Sequence, residues 1–221
     1  MPIFISGTGT DVGKTLFSAL LMARYGHELN LQYLKPVQTG PDSDRRTVEQ
    51  LTGLESRHFQ PEVISFPLPA SPHFSAEQAN AQVDTDRLLQ HLAGLHHSRT
   101  IVELAGGLLV PLSRHFTNLD MMQKVGFPAI LVAATGLGTI NHTLLSLQAL
   151  KSAGVFCPGV FFVGEDNPLY ADNARTICEM GDVQHLGEFF LTSEKIQPQD
   201  FQFPSVHHLR QQPSIGDRNP G

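Results

Sequence analysis

The residues with the most chemistry in them lie near the start of the chain. Gly7-Thr8-Gly9-Thr10-Asp11-Val12-Gly13-Lys14-Thr15 follows a short apolar run and leads at once into a helical pattern at Leu16-Phe17. Small residues let backbone N–H groups turn inward around an anion, a following helix offers its positive N-terminus, and a lysine followed by a hydroxyl suits phosphate and Mg²⁺ respectively. The usual first glycine of the phosphate-loop pattern falls at Thr8, with glycines at 7 and 9 instead. Lys35 opens Lys35-Pro36-Val37-Gln38-Thr39-Gly40, and Glu103 closes an apolar run before Ala105-Gly106-Gly107. Lys35 reads as a second cation on the Lys14 edge, or as a solvated lysine before the turn that Pro36 forces. Asp44 reads as a helix N-cap or as a cation ligand. Thr15, Asp44 and Glu103 together would supply hard oxygen ligands for one Mg²⁺. A second glycine-rich turn, Ala134 to His142, offers N–H groups that suit a carboxylate or serve packing alone.

These residues need a scaffold that brings distant segments to one edge. Short apolar runs at Ile3–Ile5, Gln32–Leu34, Thr100–Glu103, Ala129–Val132, Gly159–Val163 and Gln184–Leu186 read as strands. Between them, apolar residues recur at three and four over Leu16–Tyr25, Asp44–Leu51, Thr85–Leu95, Leu119–Val125, Thr139–Ala153 and Leu169–Glu179, which predicts helices. The alternation predicts an α/β fold with a doubly wound, mainly parallel sheet and helices on both faces, whose ligands bind at the carboxyl ends of the strands. One domain over residues 1–210 and a flexible tail over 211–221 are expected. Phe66 to His73 carries prolines at 67, 69 and 72, which predicts an ordered loop or a lid rather than regular structure.

Composition narrows the classes. The chain has 221 residues, 15 Lys+Arg against 21 Asp+Glu and 41% apolar residues, which is enough for a sizeable core and argues against a broad phosphate-backbone footprint on nucleic acid. No apolar run reaches the roughly 18 residues of a membrane span. The strand-like first residues leave no room for a signal peptide, so a cytoplasmic location is expected. Cys157 and Cys178 form neither a CxxC nor a zinc spacing and are expected to be core thiols. The adjacent pairs His96-His97 and His207-His208 do not face one ligand and read as surface residues.

Taken together, GTGTDVGKT, KPVQTG, the Asp44 helix start, Ser71-Pro72-His73, VELAGGLLVPL and GLGTINHTLLSLQALKSAG resemble the dethiobiotin synthetase family, in that family's order, from about Ile3 to Gly159. The resemblance implies a P-loop NTPase fold and an ATP- and Mg²⁺-dependent ligase that joins CO₂ to 7,8-diaminononanoate, through a carbamate and a carbamic-phosphoric anhydride. It further implies a homodimer with the active site at the interface. Asp11, Val12, Gly13, Lys14, Thr15 and Leu16 would wrap the triphosphate, with Asp44, Glu103, Leu104, Ala105 and Gly106 completing the nucleotide side. Lys35, Lys14 and Thr10 would be catalytic, Thr15, Asp44 and Glu103 would hold Mg²⁺, and Thr10, Lys35 and Thr39 would meet the diamine or its carbamate. Gly138, Thr139, Ile140 and Asn141 would reach the substrate's tail carboxylate across the dimer. The sequence departs from the family at Leu104, where glycine is usual. It departs again at Gly164-Glu165-Asp166-Asn167 and at Gly187-Glu188-Phe189-Phe190, where the base is read, which implies a relaxed nucleotide preference. Two rival readings are a related P-loop ligase acting on another amine or amide and a nucleotide-dependent switch. The switch type carries a further lysine four places before the last glycine of the loop, where this chain has Gly9.

Overall fold

The computed structural model describes residues 1–191, so the expected tail 211–221, the end of the expected domain and His207-His208 lie outside the described residues. In chain order the elements are β1 (Ile3–Gly7), α1 (Lys14–Leu29), β2 (Gln32–Leu34), β3 (Val37–Thr39), α2 (Asp44–Thr52), β4 (Ile64–Phe66), α3 (Pro72–Gln78), α4 (Thr85–Ala93), β5 (Thr100–Gly107), β6 (Pro111–Ser113), β7 (Phe116–Thr117), α5 (Asn118–Val125), β8 (Ala129–Ala134), α6 (Thr139–Ser152), β9 (Gly159–Gly164), α7 (Tyr170–Gly181) and β10 (Gln184–Phe190). Six strands form one parallel sheet in the order β10-β9-β8-β1-β5-β2.

Strands covered on both faces bury nearly every side chain, so they read as continuous apolar runs. Alternate residues go to opposite faces. Phe4, Val102 and Leu34 join Leu88, Leu92, Met121 and Met122 on one side, whereas Ile5, Ile101 and Ile130 join Phe17, Leu20 and Met22 of α1 on the other. Leu131, Val160 and Phe162 pack against Leu147 of α6 and Ile177 of α7. Phe17 stacks on Phe161 with ring centroids 4.4 Å apart, which fixes α1, and with it the loop at its head, over the middle of the sheet.

All six expected strands and all six expected helices form, and the differences lie at their ends. The α1 helix starts at Lys14 and runs past Gly26 to Leu29, where Asn30 closes it in the left-handed conformation and its N–H reaches Gly26 O and His27 O. The expectation of no regular structure over Phe66–His73 is corrected at both ends: Phe66 completes β4, which pairs with β3, and Pro72 opens α3. Proline fits a helix's first position because the N–H it lacks would have had no intrahelical partner there. The irregular stretch between them is pinned where Ser75 Oγ donates to Leu68 O at 2.8 Å. No helix of the described residues is long and apolar enough to cross a membrane.

Candidate active site

The loop between β1 and α1 holds its shape through two unusual backbone conformations. Asp11 has φ 56° and Gly13 φ 92°. A Cβ on Gly13 would lie 2.4 Å from Val163 Cγ1, so only glycine lets the loop lie against β9. With no side-chain cap on α1, the first-turn N–H groups are free for an anion. Lys14 is buried, and its Nζ donates to Gly9 O at 2.7 Å, curled into its own loop. Burial, and then the positive charge of Lys35, lower its pKa to about 8. A phosphate arriving here would relieve both penalties at once.

Beside the loop, four side chains from separate segments form one cluster, with Lys35 and Glu103 buried and Asp44 and Thr15 half-buried. Lys35 follows the end of β2, Glu103 sits in β5, Asp44 is the first residue of α2 and Thr15 the second of α1. Lys35 Nζ lies 2.6 Å from Asp44 Oδ2 and 3.1 Å from Glu103 Oε1, and Thr15 Oγ1 donates to Glu103 Oε1 at 2.8 Å and to Asp44 Oδ1 at 3.3 Å. Burial would push the Lys35 ammonium down, but the carboxylates of Glu103 and Asp44 outweigh it and hold its pKa above the ordinary lysine value. The buried-cation reading of Lys35 therefore holds over the solvated one. Asp44 is spared capping duty because Ser43 takes it, accepting from Arg46 N at 3.3 Å. Gln38 sets the turn, with Nε2 donating to Asp42 O at 2.8 Å and Oε1 accepting from Asp44 N at 3.2 Å. At the far end of β5, Asn118 Nδ2 donates to Ala105 O and Gly107 O, which ties α5 to the strand that carries Glu103.

These groups face a cleft of about 750 Å³. Thr10, Asp11, Gly13, Leu16, Thr39, Ala105 and Gly106 line it along with the four cluster residues and Lys14. Val12 and Leu104 do not: Leu104 sends its side chain into the core and turns only its carbonyl to Lys35 Nζ, at 3.4 Å. Nor does the Gly138–Asn141 turn, where Thr139 Oγ1 donates to Ala134 O at 2.6 Å. In the Gly164–Asn167 turn, Asn167 Nδ2 and Thr135 Oγ1 both donate to Glu165 O, and Asn167 Oδ1 accepts from Leu169 N. Pro69, Ala70, Ser71 and Pro72 form one wall of the cleft, and Gly40, at φ 92°, lets Pro69 approach to 3.1 Å from where its Cβ would be. Sequence reading did not find Gln38, Tyr33 or Val110. Gln38 stood inside a motif already singled out, but nothing in the pattern marked Tyr33 apart from its neighbours in an apolar strand. A second groove, of about 400 Å³, shares Thr10 and Val110 with the cleft and runs between Leu109 and Leu145, both exposed.

The two cysteines are free, partly buried thiols, and burial pushes both up, Cys157 to about 12, which disfavours the thiolate form a nucleophile needs. A buried ammonium gripped by two carboxylates shows that the Asp44–Glu103 pair is built to hold positive charge. A hydroxyl and two carboxylates also form a hard-oxygen set suited to Mg²⁺ when phosphate oxygens complete the shell. Among the described residues no group of three or more His, Cys, Asp or Glu is placed to hold a metal alone. A cation here would therefore share its ligands with a nucleotide.

The family model described as AAA domain matches residues 2–191. The chain is 46% identical over 203 residues to an ATP-dependent dethiobiotin synthetase of Leptospira interrogans, covering 91% of this chain and 92% of the relative. It is 43% identical over 187 residues to that of Nitrobacter hamburgensis, covering 84% of each. Among solved structures it resembles a ParA family ATPase from Chlorobium tepidum (TM-score 0.55, 10% identity, 86% of this chain and 84% of that one). It also resembles the septum site-determining protein MinD complexed with Mg-ADP from Pyrococcus horikoshii (TM-score 0.52, 18% identity, 86% and 82%). At such identities the structural likenesses speak to the fold alone.

Proposed function

From the premise that this chain belongs to the ATP-dependent dethiobiotin synthetase family, we propose that the cleft joins CO₂ to 7,8-diaminononanoate at the expense of ATP. The observation that carries this reading is the Lys35–Glu103–Asp44–Thr15 cluster standing beside Lys14 on the wall of one cleft. A nucleotide switch of the rival type carries its further lysine inside the loop, at the place of Gly9, whereas here the second ammonium is Lys35, which follows β2.

The order of events follows from charge. One substrate amine takes up CO₂ as a carbamate, whose oxygen attacks the γ-phosphorus of ATP as the bond to ADP breaks. The second amine then attacks the carbamoyl carbon of the mixed anhydride, phosphate leaves, and the ring closes. Phosphoryl transfer asks the protein mainly for position and charge neutralisation. Lys14 and the first turn of α1 hold the β and γ oxygens. Lys35 stays charged because two carboxylates favour its ammonium, and so can neutralise both carbamate and the transferring phosphoryl group. Thr10 and Thr39 line the same cleft, which supports the reading that they meet the diamine side. Thr15, Asp44 and Glu103 would hold Mg²⁺, which when bound would neutralise charge on the phosphate oxygens.

The exposed Leu109 and Leu145 along the second groove, with Leu137 94% exposed in the turn that opens α6, support pairing with a second copy. That copy's Gly138–Asn141 turn would supply the tail-carboxylate contact. Sedimentation of the full chain at micromolar concentration checks the pairing, and a single-chain mass would contradict it. A cytoplasmic setting fits an enzyme that draws on ATP.

The test of the reaction is mass-spectrometric detection of dethiobiotin after incubation with 7,8-diaminononanoate, bicarbonate, Mg²⁺ and ATP. Product with matching ADP is expected. ATP hydrolysis without product would leave the fold and phosphate loop standing and remove the substrate assignment.

A further inference from the structure

Glu103 presents its two oxygens to different neighbours. Oε1 accepts from Thr15 and Lys35, at 2.8 and 3.1 Å, while Oε2 accepts from the phenol of Tyr33 at 3.0 Å. Tyr33 and Glu103 are both fully buried. Tyr33 lies in β2, two residues before Lys35, and its ring is held from behind by Phe59, with centroids 6.3 Å apart. Its backbone is tied to the same segment, Gln60 N donating to Tyr33 O at 2.9 Å.

We propose that Tyr33 is a positioning residue for the reaction, acting through Glu103. Its phenol engages Oε2 and fixes the carboxylate plane, so that only Oε1 turns toward Thr15, Lys35 and the phosphate edge. The donor type matters. A lysine or arginine at this place would satisfy Oε2 but cancel the charge that Glu103 directs at cations on its other side, whereas a neutral phenol satisfies the oxygen and leaves that charge in force. Without the hydroxyl, Oε2 is a buried acceptor that has lost its Tyr33 bond, and the Lys35 ammonium, 3.1 Å from Oε1, is a charged donor beside it that the carboxylate can turn to. The carboxylate then shares both oxygens with Lys35 and draws it back from the cleft. This rests on the reading that Glu103 stands at the reacting centre.

The experiment is a double-mutant cycle on the full chain, with Tyr33→Phe, Glu103→Gln and the pair. It is read as dethiobiotin kcat and KM and as calorimetric ADP affinity in EDTA and in excess Mg²⁺. Tyr33→Phe is expected to lower kcat about tenfold and to weaken the Mg²⁺-dependent gain in ADP affinity several-fold, as losing one hydrogen bond to a charged group would. Diamine KM and ADP affinity in EDTA should stay within about twofold, and adding Tyr33→Phe to Glu103→Gln should change the Mg²⁺-dependent gain by less than about twofold. Wild-type kcat and Mg²⁺ response in Tyr33→Phe would overturn the proposal. So would an equal loss on both backgrounds, which would mean ring packing alone, or a wild-type ADP affinity indifferent to Mg²⁺. Absence of dethiobiotin from the wild-type enzyme would instead remove the reaction assignment, and the ADP cycle would still decide for or against Tyr33.

Discussion

The molecule carries two clusters of acidic, basic and hydroxyl groups on one sheet, and they behave as different materials. Lys35, just past the end of β2, and Glu103, midway along β5, meet Asp44 and Thr15 at the heads of α2 and α1, with the lysine and the glutamate sealed from water. At the outer edge, Tyr170 OH donates to Glu188 Oε2 at 3.0 Å and meets His185 Nε2 at 2.8 Å, while the His185 and Glu188 side chains remain 41% and 37% exposed. Burial and the Glu188 charge push the Tyr170 phenol up, but it is held mainly by its rings: Phe162 and Phe190 meet it edge-on, at 5.7 and 5.0 Å. Water can replace any lost partner in the outer cluster. In the inner one a lost partner leaves a charge in a dry place, so the inner geometry is held rigidly and directs its field into the cleft.

The contrast is sharpest at Glu103. Glu103→Gln should cost about 3 kcal/mol of stability, because among the described residues it leaves the buried Lys35 paired with Asp44 alone. It should also cut turnover about a hundredfold. Chemical denaturation and the product assay check both, and a wild-type denaturation midpoint would show that the cluster is wetter than it looks. Next in size is the pH response of Lys14. With the lysine at about 8 in the free protein and 10.5 as its ordinary value, ADP affinity without Mg²⁺ should be flat below 7. It should then fall by up to about tenfold per unit as the pH rises past 8, since the protein must take up a proton to bind. Lys14→Arg should flatten that decline. The sign for folding is the reverse. Between about 8 and 10.5 the unfolded chain holds more protons at this position, so the Lys14 contribution to stability rises with pH across that window. Lys35, raised, stabilises fully below the ordinary lysine value and loses that contribution only as the pH climbs through its own higher one. The smallest effect belongs to the outer cluster: Tyr170→Phe should change stability by less than about 1 kcal/mol and leave turnover unaltered. A larger loss would show that this edge is as dry as the centre.

How much of this was legible follows the same division. The phosphate loop, Lys35 and Asp44 were readable because each needs a particular residue type at a strand end or helix start, and Glu103 because it is the one charge in an apolar run, although β5 does not close there as expected but continues to Gly107. Tyr33 was not, since a tyrosine in a buried strand is an ordinary core residue until β5 is placed beside β2 and Glu103 beneath its hydroxyl. The helix at Pro72 was hidden by prolines that read as breakers, although the third stands where a helix tolerates one. Leu104 sat in a glycine-rich motif, yet its side chain follows strand alternation into the core. That Asp44 is not the cap became clear only with Ser43 in that place.

The central claim is that the buried lysine between two carboxylates performs the chemistry while the loop does the holding. Rapid-quench measurement of dethiobiotin formation by Lys35→Gln, alongside its ADP affinity, tests it most directly. The account predicts a product-forming step slower by about a thousandfold, with ADP affinity within about threefold of wild type. An unchanged step, or a loss confined to nucleotide affinity, would place Lys35 with the loop and contradict the claim.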